Sequence, residues 1–312
     1  MTSIAAIGEC MVEIRRTGDG TARFGFGGDT LNCALYLARL GVAVDYVTLL
    51  GDDPYSADML TAWAAEGVGT GRVVRLPGRM PGLYVIETDA TGERSFFYWR
   101  DRAPARELFT HPDAAPLVDA LPGYGLLMLS GISLSLYGEE GRARLHAALD
   151  RARAAGAKVA FDTNLRPRGW PSLDAARDAY AALSGRVDIV LSGVEDEALL
   201  FGAEAPTAII DRWRAAGASE IIVKNGGDGC LVWEQGGAVD EVPATRVTRV
   251  VNTTAAGDSF CAGYLAARQA GQGIAAAARL GHRLAGIVIG HPGAIVPAEA
   301  TAAVVAELRG AA

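Results

Sequence analysis

Asn252-Thr253-Thr254-Ala255-Ala256-Gly257-Asp258-Ser259-Phe260 holds the residues best suited to chemistry. The string follows Val250-Val251, crosses a run of small residues and opens a helical pattern. Ala255, Ala256 and Gly257 would leave backbone N–H groups uncovered at a helix N-terminus, where the dipole is positive. Such an end binds anions and suits the charge that develops on a transferring phosphoryl group. Asp258, in the first turn, is placed to accept the proton of a hydroxyl attacking a γ-phosphate. A bare Gly-Asp pair beside Thr254 would serve equally as a helix cap, so the weight rests on the whole string.

Other segments could meet a polar ligand. The pair Gly27-Gly28 allows close backbone approach, and the Asn32 amide can both donate to and accept from hydroxyls. A plain strand–turn–helix junction would also use these residues. In Phe96-Phe97-Tyr98-Trp99-Arg100, strand alternation puts Phe96, Tyr98 and Arg100 on one face and Phe97 and Trp99 on the other. Arg100 and Arg166 offer forked donors for a carboxylate, and Arg166 equally for phosphate oxygens. Tyr84 and Tyr98 supply phenolic hydroxyls. The alternative for this strand is a buried aromatic row with Arg100 as an edge charge.

The elements that must position these groups follow from periodicity. Short apolar runs at Ile4–Ile7, Val44–Leu49, Leu126–Ser130, Val159–Asp162, Ile189–Leu191 and Ile221–Lys224 alternate with helical patterns, which specifies a mostly parallel sheet covered on both faces. Helices are expected after Gly28, at Pro54–Glu66, and at 257–271, 274–289 and 297–309. Two glycine- and aromatic-rich excursions, roughly 9–26 and 83–100, form a smaller sheet, with a hairpin turn at Asp89-Ala90-Thr91-Gly92. A further hairpin is expected over Val239–Val251. The whole chain, 1–312, reads as one Rossmann-like α/β domain with the small β-sheet as a lid over the carboxyl ends of the parallel strands.

Composition narrows the partners. Lys and Arg total 29 against 36 Asp and Glu, a net charge of −7, which argues against a nucleic-acid partner. No run approaches the ~20 apolar residues of a membrane span, and the N-terminus lacks a signal-peptide pattern, so a cytoplasmic protein is expected. Cys10, Cys33, Cys230 and Cys261 have no metal-ligand spacing and read as buried thiols. Phe97 and Trp99 on the outer face of the lid point to a homo-oligomer joined through that sheet.

The string ending in Gly257-Asp258 resembles the C-terminal signature of the PfkB/ribokinase family of carbohydrate kinases, and Gly27-Gly28 through Ala34 resembles the N-terminal one. No P-loop lysine motif or protein-kinase loop occurs. Within that family, Gly82-Leu83-Tyr84, Glu93–Arg100, Asp162-Thr163-Asn164-Leu165-Arg166-Pro167 and Gly293–Pro297 are similar to the 2-keto-3-deoxygluconate kinase subfamily. The resemblance implies a ribokinase-like fold, ATP and Mg²⁺, and a sugar acid phosphorylated on its 6-hydroxyl. It implies Asp258 as base, an anion hole from Ala255, Ala256 and Gly257, and substrate contacts from Gly27, Gly28, Asn32, Tyr84, Tyr98, Arg100 and Arg166. It implies nucleotide contacts from Asn164, Ser192, Lys224, Gly226, Gly229 and Gly257.

The chain departs from the family pattern at the metals. Where relatives carry Asn-x-x-Glu, Gly193 replaces the Asn and Asp196 the Glu, leaving Asp196 and the extra acid Glu195 to hold Mg²⁺ through water. The monovalent-cation position falls on Asn252 and Thr254, and Asn252 in place of Asp removes a charge, which weakens the expectation of potassium. Another sugar kinase of this build, for fructose or the galacto acid, and a sugar-acid sensor without catalysis are the alternatives.

Overall fold

A computed structural model describes residues 3–16, 21–88 and 94–310. The strands are β1 (Ile4–Ile7), β2 (Met11–Arg16), β3 (Ala22–Gly27), β4 (Val44–Gly51), β5 (Val73–Leu76), β6 (Leu83–Thr88), β7 (Arg94–Trp99), β8 (Leu126–Ser130), β9 (Lys158–Asp162), β10 (Ile189–Gly193), β11 (Glu220–Lys224), β12 (Cys230–Glu234) and β13 (Val239–Val242). The helices are α1 (Asp29–Arg39), α2 (Pro54–Ala65), α3 (Ala115–Asp119), α4 (Gly131–Leu136), α5 (Gly138–Ala154), α6 (Leu173–Ser184), α7 (Val194–Phe201), α8 (Pro206–Ala215), α9 (Ala256–Gln269), α10 (Ile274–Ile289) and α11 (Ala302–Gly310).

A 9-stranded sheet in the order β13-β12-β11-β10-β9-β8-β1-β4-β5 forms the body. It is parallel from β5 to β11, and β12 and β13 close one edge antiparallel. The continuous apolar runs of the central strands follow from burial on both faces. In β8, Leu126 and Met128 enter one core while Leu127 and Leu129 enter the other. The first core is completed by Leu31 and Leu35 of α1, Tyr264 of α9 and Leu284 of α10. The second is filled by Leu145 and Leu149 of α5, Leu183 of α6 and Trp213 of α8.

The two excursions pair into a 4-stranded sheet, β3-β2-β6-β7, as expected. Its register places Glu13 beside both Gly25 and Tyr84, and Tyr84 beside Tyr98, so these share one face. Leu83 pairs with Trp99 and Val85 with Phe97 on the other face. The turn expected at Asp89–Gly92 lies outside the described residues.

Two expectations need correction. The hairpin read over Val239–Val251 is instead β12–β13, with Trp233 paired to Val239 and Cys230 to Val242. Pro243 follows at once and has no N–H to continue the ladder, so the chain proceeds without regular structure to α9. The C-terminal helix starts at Ala302, after a short 3₁₀ turn over Ala298–Thr301. Strand β5, whose four residues are too short for a clear period, was not anticipated.

Among the described residues no helix is long and apolar enough to cross a membrane. The carboxyl ends of β1, β8, β9, β10 and β11 carry Glu9, Ser130, Asp162, Gly193 and Lys224 toward the N-terminus of α9, at the edge where an open α/β sheet binds its ligands.

Candidate active site

Asp258 lies in the first turn of α9, and its Oδ2 accepts from Asn32 Nδ2 of α1 at 2.8 Å. Burial, and next the negative charge of Asp29, push its carboxyl up to about 7, against the pull of the Asn32 bond. Such a group is a far better proton acceptor than an ordinary carboxylate. Asn32 is buried, and its Oδ1 has no protein partner, which leaves an acceptor for a ligand hydroxyl. The two signatures expected from sequence therefore meet in one hydrogen bond.

The residue preceding α9, Ala255, has φ +61°, a left-handed conformation that an alanine adopts only under strain. Its carbonyl accepts from Ser259 N at 2.9 Å and from Ser259 Oγ at 2.7 Å, which holds the turn in place. Ala256 N donates to Thr253 O at 3.2 Å, and Gly257, the next residue of the first turn, is partly exposed. Asn252 Oδ1 accepts from Thr254 N at 2.8 Å, so the side-chain oxygen assigned to a monovalent cation is engaged in shaping this approach.

Lys224 Nζ donates to Asp162 Oδ1 at 2.8 Å, and a Cβ placed on Gly257 would lie 3.7 Å from Nζ. The ammonium thus faces the end of α9. Burial would lower its pKa, but the carboxylate of Asp162 more than reverses this, so Lys224 stays charged. Asp196 Oδ2 accepts from Thr163 Oγ1 at 3.1 Å, and the same Oγ1 accepts from Gly193 N at 3.1 Å. Burial and then the charge of Asp162 push the Asp196 carboxyl up to about 6. Glu195 projects to solvent. No group of three or more His, Cys, Asp or Glu is gathered for a metal among the described residues. The donor set fits Mg²⁺, which takes one or two carboxylates and completes its shell with water and phosphate oxygens.

The glycine pair has a different neighbourhood from the one expected. A Cβ on Gly27 would lie 2.2 Å from Tyr84 Oη, and one on Gly28 would lie 2.1 Å from the Glu9 carbonyl oxygen. The glycines thus let the lid and the segment after β1 close upon α1. Tyr84 Oη donates to Glu13 Oε2 at 2.5 Å, and Arg15 Nη2 donates to Glu13 Oε1 at 2.7 Å. The Tyr84 hydroxyl, expected to reach the sugar, is committed to the lid. Tyr98 lies beside it, its ring tilted by 35° with centroids 5.9 Å apart, and is 43% exposed.

Arg100 forms an ion pair with buried Glu9. Nη2 faces Glu9 Oε2 in that pair, while Arg100 Nε and Glu9 Oε1 have no hydrogen-bond partner in the protein. Arg166 is exposed, with Nη1 donating to its neighbour's carbonyl, Leu165 O, at 2.8 Å. Asn164, at φ +23°, donates from Nδ2 to Asp29 Oδ2 at 2.8 Å.

Ser192 is the expected contact that the structure moves away. Its Oγ donates to Glu197 Oε1 at 2.6 Å beneath the site, and Glu197 also accepts from Arg212 and Trp213, so Ser192 is structural. Gly226 and Gly229 flank an exposed turn beyond β11. The four cysteines are free and buried. Asp29, Glu9, Glu13 and Asp162 were missed as site residues. Asp162 carried a readable signal, an acid closing an apolar strand at the ligand-binding edge. Asp29 carried only its place after Gly28.

The pfkB family carbohydrate kinase model matches residues 1–301. The chain is 46% identical over 304 residues to the 2-dehydro-3-deoxygluconokinase of Dickeya dadantii, covering 96% of this chain and 98% of that one. It is 44% identical over 303 residues to the 2-dehydro-3-deoxygluconokinase of Escherichia coli K12, covering 95% and 98%. Among solved structures, a PfkB protein from Polaromonas superposes with a TM-score of 0.83 at 26% identity, covering 97% of this chain and 100% of that one. A fructokinase from Xylella fastidiosa with bound ATP superposes with a TM-score of 0.83 at 24% identity, covering 98% and 99%, a likeness of fold.

Proposed function

The chain belongs to the pfkB family of carbohydrate kinases, and we propose that it transfers the γ-phosphoryl group of ATP to the 6-hydroxyl of 2-dehydro-3-deoxygluconate. Relatives 44–46% identical over nearly their full length carry that name, and the ribokinase-like fold is the one such kinases share. For the acid, the supporting observation is Arg100. Its buried Nε has no hydrogen-bond partner in the protein and its Nη2 has only the ion pair with Glu9, so the guanidinium keeps donor capacity that a substrate carboxylate would use. Arg166 is the other fork available to a carboxylate or to phosphate oxygens.

The acid lies under the lid with its carboxylate at Arg100 and its terminal hydroxyl at Asp258. Asn32 orients that hydroxyl and Asp258 takes its proton as it attacks. The Gly257 N–H at the N-terminus of α9 and the Lys224 ammonium receive the charge of the transferring group. Mg²⁺, when bound with the nucleotide near Asp196, would supply further charge neutralisation. The lid face bearing Tyr98 and Tyr84 excludes water from the acceptor.

The outer lid face exposes Phe24 by 62%, Phe97 by 48% and Trp99 by 63%. These belong to one apolar patch that a second copy of the chain would cover, giving a homo-oligomer. A monomer in sedimentation at micromolar concentration would refute that arrangement. The substrate assignment is tested by a coupled ADP-release assay with Mg-ATP and 2-dehydro-3-deoxygluconate, fructose or ribose. Strong preference for the acid, lost in Arg100→Gln, is expected. Preference for a neutral sugar would overturn it.

A further inference from the structure

Contacts within the site form a continuous row from the lid to the base. At one end, a Cβ on Gly82 would lie 2.8 Å from Glu9 Oε1 and 3.1 Å from Arg100 Cβ, so Arg100 and Glu9 share a corner. Glu9's carbonyl lies against Gly28, the residue immediately before Asp29. Asn32, one helical turn after Asp29 on the same face of α1, donates to Asp258. Asp29 therefore stands between Arg100 and Asp258. Its negative charge raises the carboxyls at both ends, Glu9 and Asp258.

The Asp29 carboxylate is held in place and still has capacity. Oδ1 accepts from Thr30 N at 2.8 Å and Oδ2 from Asn164 Nδ2 at 2.8 Å. Asp29 nonetheless remains partly exposed to the cleft, and a carboxylate offers about four lone-pair positions. An ionised carboxylate accepts hydrogen bonds and donates none. A group in this position welcomes hydroxyls and repels another carboxylate.

We propose that Asp29 is a specificity-determining residue, whose carboxylate accepts the hydroxyl at the middle of the acceptor chain and thereby reads its configuration and fixes its direction. The proposal rests on the reading of the acceptor as a 2-keto-3-deoxy sugar acid. In such an acid the carboxylate end carries a keto carbon and a methylene, neither of which can donate. The first hydroxyl is on C4, ahead of those on C5 and C6. With the acid's carboxylate at Arg100 and the C6 hydroxyl at Asp258, Asp29 is alongside the C4 hydroxyl. The gluco and galacto acids differ in configuration at that carbon alone. Reversed binding would bring the acid's carboxylate against Asp258 and past Asp29, and charge repulsion opposes it.

The test compares wild type, Asp29→Asn and Asp29→Ala on 2-keto-3-deoxygluconate, its C4 epimer and the 4-deoxy analogue, with Mg-ATP. Asp29→Asn keeps the shape and the bond from Thr30 N, which guards against a result that reflects misfolding. The wild type is expected to favour one epimer over the other and over the 4-deoxy compound. Both variants should shrink those kcat/KM ratios about 10- to 100-fold, the worth of a hydrogen bond to a charged group, while KM for ATP stays within about threefold. Equal use of the epimers by wild type, or an equal fall on all three acceptors in the variants, would overturn the role of Asp29. Failure of wild type on every acid would instead remove the substrate reading on which it rests.

Discussion

Replacing the proposed base should make the protein more stable at alkaline pH. The Asp258 carboxyl is raised from 3.8 to about 7 by burial and by its neighbour Asp29. Between those values the folded chain holds a proton that the unfolded chain has released. Stability therefore falls as pH rises through this window and is lowest above about pH 7. A displacement of about 3 units corresponds to about 4 kcal/mol as an upper bound. Asp258 keeps partial exposure to the cleft and shares its repulsion with Asp29, so about 1–2 kcal/mol is the figure to expect after screening. Asp258→Asn has the same shape without the charge. By urea unfolding it should exceed wild type by about that amount at pH 8, and the advantage should shrink as pH falls toward 4. An advantage that does not change between pH 8 and pH 5, or a less stable variant at pH 8, would refute the reasoning.

Three further outcomes follow from the geometry. Ala255→Gly relieves the φ of +61° and should add about 1 kcal/mol in chemical denaturation with turnover kept. Lys224→Met strands the buried Asp162 carboxylate, so it should cost about 3 kcal/mol in thermal unfolding and raise KM for ATP at least about tenfold. Gly27→Ala drives a methyl into Tyr84 Oη and pulls that ring from Glu13, so steady-state kinetics should show KM for the sugar up about tenfold and KM for ATP unmoved. Adding Tyr84→Phe to Gly27→Ala should recover part of that loss.

The body of the fold was legible because both of its signals are local. Two-sided burial writes apolar runs such as Leu126–Ser130, and the switch to glycine- and aromatic-rich alternation marks the lid strands. The hairpin misread over Val239–Val251 shows the limit, since apolar residues continue past Pro243 while the ladder cannot. In the site, the meeting of Asn32 with Asp258 joins residues 226 positions apart. Sequence offered each as a candidate but could not show the bond between them. What a side chain does once packed was less legible still. Ser192 and the Tyr84 hydroxyl are polar groups at suitable positions, yet each is consumed by a buried acid, Glu197 on the next helix or Glu13 on a neighbouring lid strand. Glu9 was hidden for the opposite reason, because its position beside Arg100 depends on the lid folding back over β1.

The central claim is that Asp258 takes the proton of the acceptor hydroxyl, and the turnover of Asp258→Asn tests it most directly. With saturating Mg-ATP and 2-dehydro-3-deoxygluconate, ADP release by the folded variant should fall by about 10²–10⁴, with both KM values within about threefold of wild type. A variant that retains more than about a tenth of wild-type kcat would contradict the account, since an amide in that place cannot accept the proton.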